Sequence, residues 1–233
     1  MYNLILPCAG LSTRYPLMKP KYLLPVDNYE SMLEFAISQL PMQDINQIII
    51  GVRSEHYNQY PEIDGVVERI GRLYKKTVAC NLKSYDTESQ LETVKKLIKQ
   101  YKLEYKQVLI KDCDGLFHIP NLPDGRNFVV YGDFRETQDT TRRDKSTLDI
   151  KDGKVSRIAE KDLGTDYFSV GGYGFARGEY VLGEFGSPKK RWGYASSLIK
   201  SMLEVEYDFL AIKATNYVDL GNIDKYHRYC GGR

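Results

Sequence analysis

The feature that most constrains the fold of this chain is the alternation of strand-like and helix-like segments in its first half. Short apolar runs at 3–8, 47–52 and 108–111 predict buried β-strands. Apolar residues with helical spacing lie between them, within 30–40 and 91–101. Because strand–helix–strand units are joined by right-handed crossovers, this pattern predicts an α/β domain with a mainly parallel sheet.

The second half of the chain has a different pattern. Asp152-Gly153, between 147–151 and 154–158, is a strong signal for a two-residue β-hairpin. The segment 167–175 is predicted to be a strand interrupted by glycines. The other predicted elements are strands at 128–131 and 209–213, a helix at 194–204 and a helix at 223–229 that Asn222 caps. We therefore expect one three-layer α/β domain over residues 1–233, mostly parallel, with an added β-hairpin.

Composition excludes several classes of protein. The chain has 33 Lys and Arg against 31 Asp and Glu, a formal charge of +2, which disfavours broad nucleic-acid binding. No apolar run approaches the roughly 18 residues of a membrane-spanning helix, and the N-terminus lacks the pattern of a signal peptide. The four cysteines form no Cys-x-x-Cys motif. We expect reduced thiols in a cytoplasmic protein.

The loop after the first strand has the composition of a phosphate-binding loop. Its small residues allow close approach of the backbone and expose N–H groups, and its hydroxyl and basic side chains suit phosphate. The residues concerned are Ala9, Gly10, Leu11, Ser12, Thr13, Arg14 and Lys21. The loop lacks the Gly-Lys-Ser/Thr of a Walker motif. Taken alone, an ordinary basic surface turn has the same composition.

The segment 6–26 resembles the N-terminal signature of sugar nucleotidyltransferases. That family has Ala-Gly-x-Gly-x-Arg followed by Pro-Lys-x-Leu-Leu-Pro, and this chain has Ala9-Gly10-Leu11-Ser12-Thr13-Arg14 and then Pro20-Lys21-Tyr22-Leu23-Leu24-Pro25. Ser12 stands where the family usually has a second glycine. The resemblance implies that Arg14 and Lys21 are catalytic and that residues 9–13 bind the nucleotide. It also implies a Rossmann-like (GT-A-like) fold with a nucleotide-binding part at about 1–130, and with the acceptor-binding part and C-terminal helix at about 131–233.

Two acidic segments resemble the magnesium-binding elements of the same family. Asp114-Gly115-Leu116-Phe117 is similar to Asp-Asn-Leu-Phe, and Asp219-Leu220-Gly221-Asn222 is similar to Asp-x-Gly-Thr. The resemblance implies that Asp114 and Asp219 bind Mg²⁺, with phosphate oxygens and water completing the shell. Asp112 is an alternate ligand. Because Asp219 lies just before a predicted helix, a capping role is the other interpretation.

The acceptor side resembles the family at two further places. Glu160-Lys161 is similar to its Glu-Lys-Pro element, with Asp162 in place of the proline, and 170–175 is similar to its Thr-Gly-x-Tyr strand. The resemblance implies that Glu160 binds sugar hydroxyls, that Lys161 binds the acceptor phosphate and that Gly172 lies in the acceptor site.

A third place is the start of the predicted helix at 91–101. Ser89 and Gln90 stand where the family has a base-contacting loop. Either these residues contact the nucleobase, or Ser89 and Glu92 form a helix cap.

The resemblance implies transfer of NMP from an NTP to a phosphorylated acceptor, and it favours a sugar-1-phosphate. It also implies Mg²⁺ as cofactor and nucleotide-sugar or polysaccharide biosynthesis as the setting. Three alternatives stay open. They are a cytidylyltransferase acting on a non-sugar phosphate such as phosphocholine, a glycosyltransferase using Asp112-Cys113-Asp114, and a non-catalytic nucleotide-sugar sensor suggested by Ser12 and Asp162. The expected partners are the NTP and the small-molecule acceptor, without nucleic acid or membrane. The sequence leaves open whether the protein is a homo-oligomer.

Overall fold

The computed structural model describes residues 1–81, 87–137, 144–160, 164–183, 185 and 193–231. The strands in this part of the chain are β1 (Tyr2–Cys8), β2 (Ile45–Val52), β3 (Thr77–Cys80), β4 (Val108–Lys111), β5 (Gly115–His118), β6 (Phe128–Asp133), β7 (Ser146–Lys151), β8 (Lys154–Glu160), β9 (Tyr167–Phe175), β10 (Leu210–Lys213) and β11 (Thr215–Asp219). The α-helices are α1 (Met32–Ile37), α2 (Ser54–Gln59), α3 (Glu62–Tyr74), α4 (Gln90–Gln100), α5 (Glu179–Leu182), α6 (Ala195–Leu203) and α7 (Ile223–Gly231).

The first half of the chain forms a four-stranded part of the sheet that is parallel throughout. Its strands lie in the order β3-β2-β1-β4 and all three pairings are parallel. Leu4 and Leu6 of β1 pack in one core cluster with α1 and α3, and Ile5 packs in a second cluster with α4. Because successive side chains of a strand point to opposite faces, this strand is covered on both sides. The predicted three layers and parallel crossovers are confirmed here.

The second half departs from the predicted mostly parallel sheet. Strand β9 pairs antiparallel with both β4 and β6, and the order continues β6-β10-β8-β7. Strand β7 pairs again with β9, so these five strands close into a barrel-like ring within a mixed sheet. Glycines let β9 take this place, because a Cβ at Gly174 would collide with the Phe128 ring. The prediction of a mostly parallel sheet is therefore wrong for this half.

The predicted β-hairpin is present as β7 and β8. Asp152 and Gly153 both have positive φ, 51° and 73°, as the two central residues of a type I′ turn require. The twist of such a turn matches the twist of the strands that it joins. The hairpin is thus fixed locally, and its pairing with β9 and β10 makes it part of the ring.

A small separate ladder positions the C-terminal helix. Strand β11 pairs antiparallel with β5, with Asp219 opposite Gly115. Helix α7 follows, and the Asn222 side chain accepts a hydrogen bond from the Lys225 backbone N–H at 3.0 Å, which confirms the predicted cap. Within the described residues, no helix has both the length and the apolar character needed to cross a membrane.

Candidate active site

Three segments that are far apart in sequence converge at one edge of the sheet. They are the loop after β1, the turn after β4, and the end of β11 with the residues that follow it. An atom at the Cβ position of Gly221 would lie 3.0 Å from Oδ1 of Asp219, 3.5 Å from Nη1 of Arg14 and 3.6 Å from Oδ2 of Asp114. The Leu220 N–H also donates to the Asp114 carbonyl at 2.8 Å. The structure therefore brings together the two predicted magnesium ligands and one of the predicted catalytic residues.

The loop after β1 turns at Ser12. This residue has φ 53°, which lies in the left-handed region. Glycine adopts that region readily, whereas it is unfavourable for residues that carry a side chain. Its hydroxyl accepts a hydrogen bond from the Lys21 backbone N–H at 3.2 Å. Ser12 thus keeps the conformation that a glycine adopts readily, and its side chain ties the two parts of the predicted signature together. Ala9 is buried, whereas Gly10, Leu11 and Thr13 are exposed.

Lys21 and Asp114 form a close ion pair at the centre of the site. Lys21 Nζ lies 2.5 Å from Asp114 Oδ2, and their side chains are 18% and 17% exposed. Arg14 lies farther away, with Nη2 3.9 Å from the same oxygen. Burial acts to raise the pKa of Asp114, but Lys21, with Lys145 and Arg14, holds that pKa well below its usual range. Burial acts to lower the pKa of Lys21, and Asp114 raises it above its usual value. Both groups are charged at neutral pH.

Asp112 has different surroundings from Asp114. Gln90 Nε2 donates to Asp112 Oδ1, and the Asp112 backbone N–H donates to the Gly171 carbonyl at 2.9 Å. Gly171 has φ 84°, and the Asp112 carboxylate occupies the space that a Cβ would need. Burial and the neighbouring Asp114 raise the pKa of Asp112 to about 6. Asp112 is therefore held by neutral groups of α4 and β9 and not by a lysine of the loop after β1.

The two residues predicted to meet a nucleobase both have protein contacts. The Ser89 hydroxyl accepts a hydrogen bond from the Glu92 N–H at 3.2 Å, which confirms the cap of α4. The Gln90 side-chain amide donates a hydrogen bond to the Asp112 carboxylate. Their contact with a base stays a prediction.

Asp219 lies between two lysines that the sequence analysis did not identify. Lys145 Nζ is 2.9 Å and Lys225 Nζ is 2.7 Å from Asp219 Oδ2. Asp219 Oδ1 accepts the Gly221 N–H at 2.9 Å. Burial acts to raise the pKa of Asp219, and the two lysines hold it below its usual value. Lys225 lies in the helix that follows Asp219, which is a weak signal, whereas nothing in the sequence near Lys145 indicates this contact.

The acceptor residues are described in part. Glu160 ends β8, and its Oε1 accepts hydrogen bonds from Ser146 Oγ at 2.6 Å and from Ser196 Oγ. Gly172 lies in β9, where a Cβ would come within 2.7 Å of the Phe117 ring. Lys161 lies outside the described residues. The acceptor roles of these three residues stay predictions.

A buried lysine that the sequence analysis missed holds the turn after β4. Lys111 has no exposed surface, and its Nζ donates to the Asp112 carbonyl at 2.7 Å and to the Gly115 carbonyl. It also lies 4.6 Å from the centroid of the Phe117 ring. Burial lowers the pKa of Lys111 to about 8. The ammonium ties the two ends of the turn that carries Asp112 and Asp114.

The donor set suits a magnesium ion shared with a substrate. Among the described residues, no three His, Cys, Asp or Glu side chains converge as a complete metal site. Mg²⁺ is typically held by one or two carboxylates together with substrate phosphates and water. Asp114 and Asp219 provide two carboxylates that face the same space beside Gly221. These residues fit the ion.

Comparison with known proteins gives a clear result for the fold. No protein-family model matches the chain, and no curated protein matches its sequence. The nucleoside-diphosphate-sugar pyrophosphorylase of Vibrio cholerae RC9 matches in structure with a TM-score of 0.79 at 19% identity, over 98% of this chain and 99% of that one. The T. maritima inositol-1-phosphate CTP transferase matches with a TM-score of 0.70 at 10% identity, over 97% and 91%. The Acinetobacter baumanii UDP-glucose pyrophosphorylase matches with a TM-score of 0.67 at 15% identity, over 99% and 92%.

These structural neighbours are nucleotidyltransferases, and the chain has their fold over nearly its whole length. A fold does not fix a reaction, because one fold carries many chemistries. The function depends on the side chains that converge beside Gly221.

Proposed function

We propose that this protein is a nucleotidyltransferase that transfers NMP from an NTP to a phosphorylated small-molecule acceptor. The observation that carries the proposal is the convergence of Arg14, Asp114 and Asp219 beside Gly221, with Lys21 bound to Asp114. This arrangement lies on a fold that structurally characterised nucleotidyltransferases share. Cationic and carboxylate groups at one place suit a reaction in which negative charge moves between phosphates.

The reaction needs positioning more than proton transfer. An oxygen of the acceptor phosphate attacks the α-phosphorus, a new P–O bond forms, and the bond from the α-phosphorus to the bridging oxygen of the β-phosphate breaks. Pyrophosphate leaves with that bridging oxygen. Because the acceptor phosphate is already anionic, no general base is required. Lys21 stabilises charge on the α-phosphoryl group, and Arg14 stabilises the departing pyrophosphate.

Asp114 and Asp219 are the residues that would hold Mg²⁺. When bound, the ion supplies charge neutralisation at the reacting phosphates. Lys21 is already fixed by Asp114, so its ammonium is oriented before substrate arrives. A preoriented charge stabilises the transition state without reorganisation.

A sugar-1-phosphate is the acceptor that we favour. Glu160 is held by the hydroxyls of Ser146 and Ser196, which orient a carboxylate suited to sugar hydroxyls. Lys161 follows Glu160 directly in sequence and is the proposed partner of the acceptor phosphate. The neighbours named for a nucleoside-diphosphate-sugar and for UDP-glucose support this class, and the neighbour named for inositol-1-phosphate adds a cyclitol phosphate to the panel to be tested.

The test is release of pyrophosphate in the presence of Mg²⁺ from each of the four common NTPs, combined with sugar-1-phosphates, inositol-1-phosphate and phosphocholine. We expect release that depends on one NTP and one acceptor. An Asp114→Asn variant, matched in size, should lose the activity with the same pair. Near-native turnover by that variant would contradict the site assignment. Release of NDP from nucleotide-sugars, without any release of pyrophosphate from NTPs, would favour the glycosyltransferase alternative.

A further inference from the structure

The lysine pair at Asp219 has no role in the reaction as described so far. Lys145 and Lys225 both contact Oδ2 of Asp219, and their side chains are only 17% and 10% exposed. Lys145 also lies 2.6 Å from the Tyr217 hydroxyl. The two ammonium groups come from opposite ends of the second half of the chain, one directly before β7 and one in α7.

The charges of this cluster favour an additional anion. Two mostly buried ammonium groups share one carboxylate oxygen, so each feels the repulsion of the other as well as the attraction of Asp219. Among the described residues, a second carboxylate, Asp144, is also in ion-pair range; it is half exposed and lies 3.9 Å from Lys225 Nζ. Close positive charges of this kind are stabilised by a ligand with several anionic oxygens, which a phosphate provides.

One member of this cluster, Asp219, borders the proposed substrate site. Asp219 Oδ1 borders the same space beside Gly221 as Asp114 and Arg14. Asp219 therefore links the two lysines to the place where phosphates are expected.

We propose that Lys145 and Lys225, oriented by Asp219, form a second phosphate-binding pair in addition to Arg14 and Lys21. The proposal rests on the proposed function and assigns these lysines to a phosphate of the bound substrates. That phosphate belongs either to the NTP and its pyrophosphate product or to the phosphorylated acceptor. The chemistry of recognition is the same in both cases, and binding experiments separate them.

The experiment is isothermal titration calorimetry on the full chain with inorganic pyrophosphate, with each NTP and with glucose-1-phosphate, each in the presence of Mg²⁺. The variants are Lys145→Met and Lys225→Met. The matched control is Lys154→Met, which removes an exposed lysine paired with Asp208 on the hairpin. We expect each site variant to bind at least one ligand about tenfold or more weakly than the native protein does, and the control variant to bind with unchanged affinity. Weaker pyrophosphate and NTP binding assigns the pair to the nucleotide, and weaker glucose-1-phosphate binding assigns it to the acceptor.

Two further results bear on the inference. Native-like affinities of both site variants for every ligand that the native protein binds would overturn it while leaving the proposed function intact. Binding of none of these ligands by the native protein would overturn the proposed function and the inference together. Two further variants guard against misfolding. Lys225→Arg keeps the charge and should restore the binding that Lys225→Met loses. Lys145→Gln keeps polarity without charge and should not restore the binding that Lys145→Met loses. Restoration by glutamine would also overturn the inference.

Discussion

The two carboxylates of the candidate site are surrounded in different ways. Asp114 receives its cation from Lys21, which belongs to a compact motif in the loop after β1. Asp219 receives Lys145 and Lys225, which belong to no motif and lie 74 and 6 residues away from it along the chain. Lys145 directly precedes β7, the strand that pairs with β9 and closes the ring. Both ends of the site are assembled by the fold, because Lys21 and Asp114 lie 93 residues apart, but only Lys21 belongs to a motif that the sequence shows.

The largest expected effect concerns catalysis at the Asp114 end. Lys21→Met should reduce kcat by about 10²–10³-fold, because it removes a fixed charge that acts on the transition state. Steady-state release of pyrophosphate with the cognate pair measures it, and Lys213→Met, which removes an exposed lysine paired with Glu136, is the control. An equal loss of kcat in Lys225→Met would contradict the assignment of the charge on the α-phosphoryl group to Lys21.

The second expected effect concerns stability at the Asp219 end. Asp219→Asn should lower the free energy of unfolding at pH 7 by about 2–4 kcal/mol, because it leaves two mostly buried ammonium groups without their carboxylate. Asp114→Asn leaves only one such group in close contact and should cost less. Urea denaturation of both variants measures the difference. An equal or larger loss in Asp114→Asn would contradict the comparison.

The pH dependence of stability separates Asp112 from its neighbour Asp114. The pKa of Asp112 is raised to about 6 by burial and by Asp114, so folding takes up a proton there and stability falls as pH rises from about 4 to 6. The pKa of Asp114 is lowered despite burial, so its contribution is present above about pH 4 and is lost on further acidification. Asp112→Asn should remove the first slope, worth about 1–3 kcal/mol, in urea titrations across pH 4–7. An unchanged slope would show that Asp112 is not its source.

The smallest expected effect is at Ser12. Ser12→Gly relieves a left-handed backbone and loses one hydrogen bond to Lys21, so stability should change by less than about 0.5 kcal/mol and pyrophosphate release should persist. Ser12→Ala loses the hydrogen bond and keeps the strain, and should cost about 1 kcal/mol. Thermal unfolding of the pair measures this. A Ser12→Gly protein without activity would show that the hydroxyl takes part in the site.

The sequence predicted the elements that depend on local pattern. The strands at 108–111 and 167–175 have the predicted bounds, and the turn at Asp152-Gly153 has the predicted geometry. Asp114 and Asp219 meet as the resemblance implied, although the β5–β11 ladder that joins them was not predicted. Strand periodicity shows that a segment is a strand, but it does not show which strand lies beside it.

Two of the missed features, the place of β9 and the contact of Lys145, depend on partners that are distant in sequence. The antiparallel insertion of β9 rests on space that Gly172 and Gly174 leave for aromatic rings from other segments. In the sequence, Lys111 has the pattern of a polar residue that ends a strand. Its side chain is buried because the turn after β4 folds over it. Lys145 has no neighbour in sequence that indicates a contact with Asp219. For β9 and Lys145 the determining contacts join residues far apart in sequence, whereas the partners of Lys111 are only one and four residues away and the sequence does not show that the turn buries its side chain.

The most direct test of the account follows the phosphates of the NTP. The cognate NTP is labelled with ³²P at the α-position in one reaction and at the γ-position in another, and the products are separated by chromatography. The account predicts that the α-label appears in the nucleotide-linked acceptor and the γ-label in pyrophosphate, with both transfers lost in Lys21→Met. Appearance of the γ-label as inorganic phosphate, or an α-label that never joins an acceptor while native protein consumes the NTP, would contradict it.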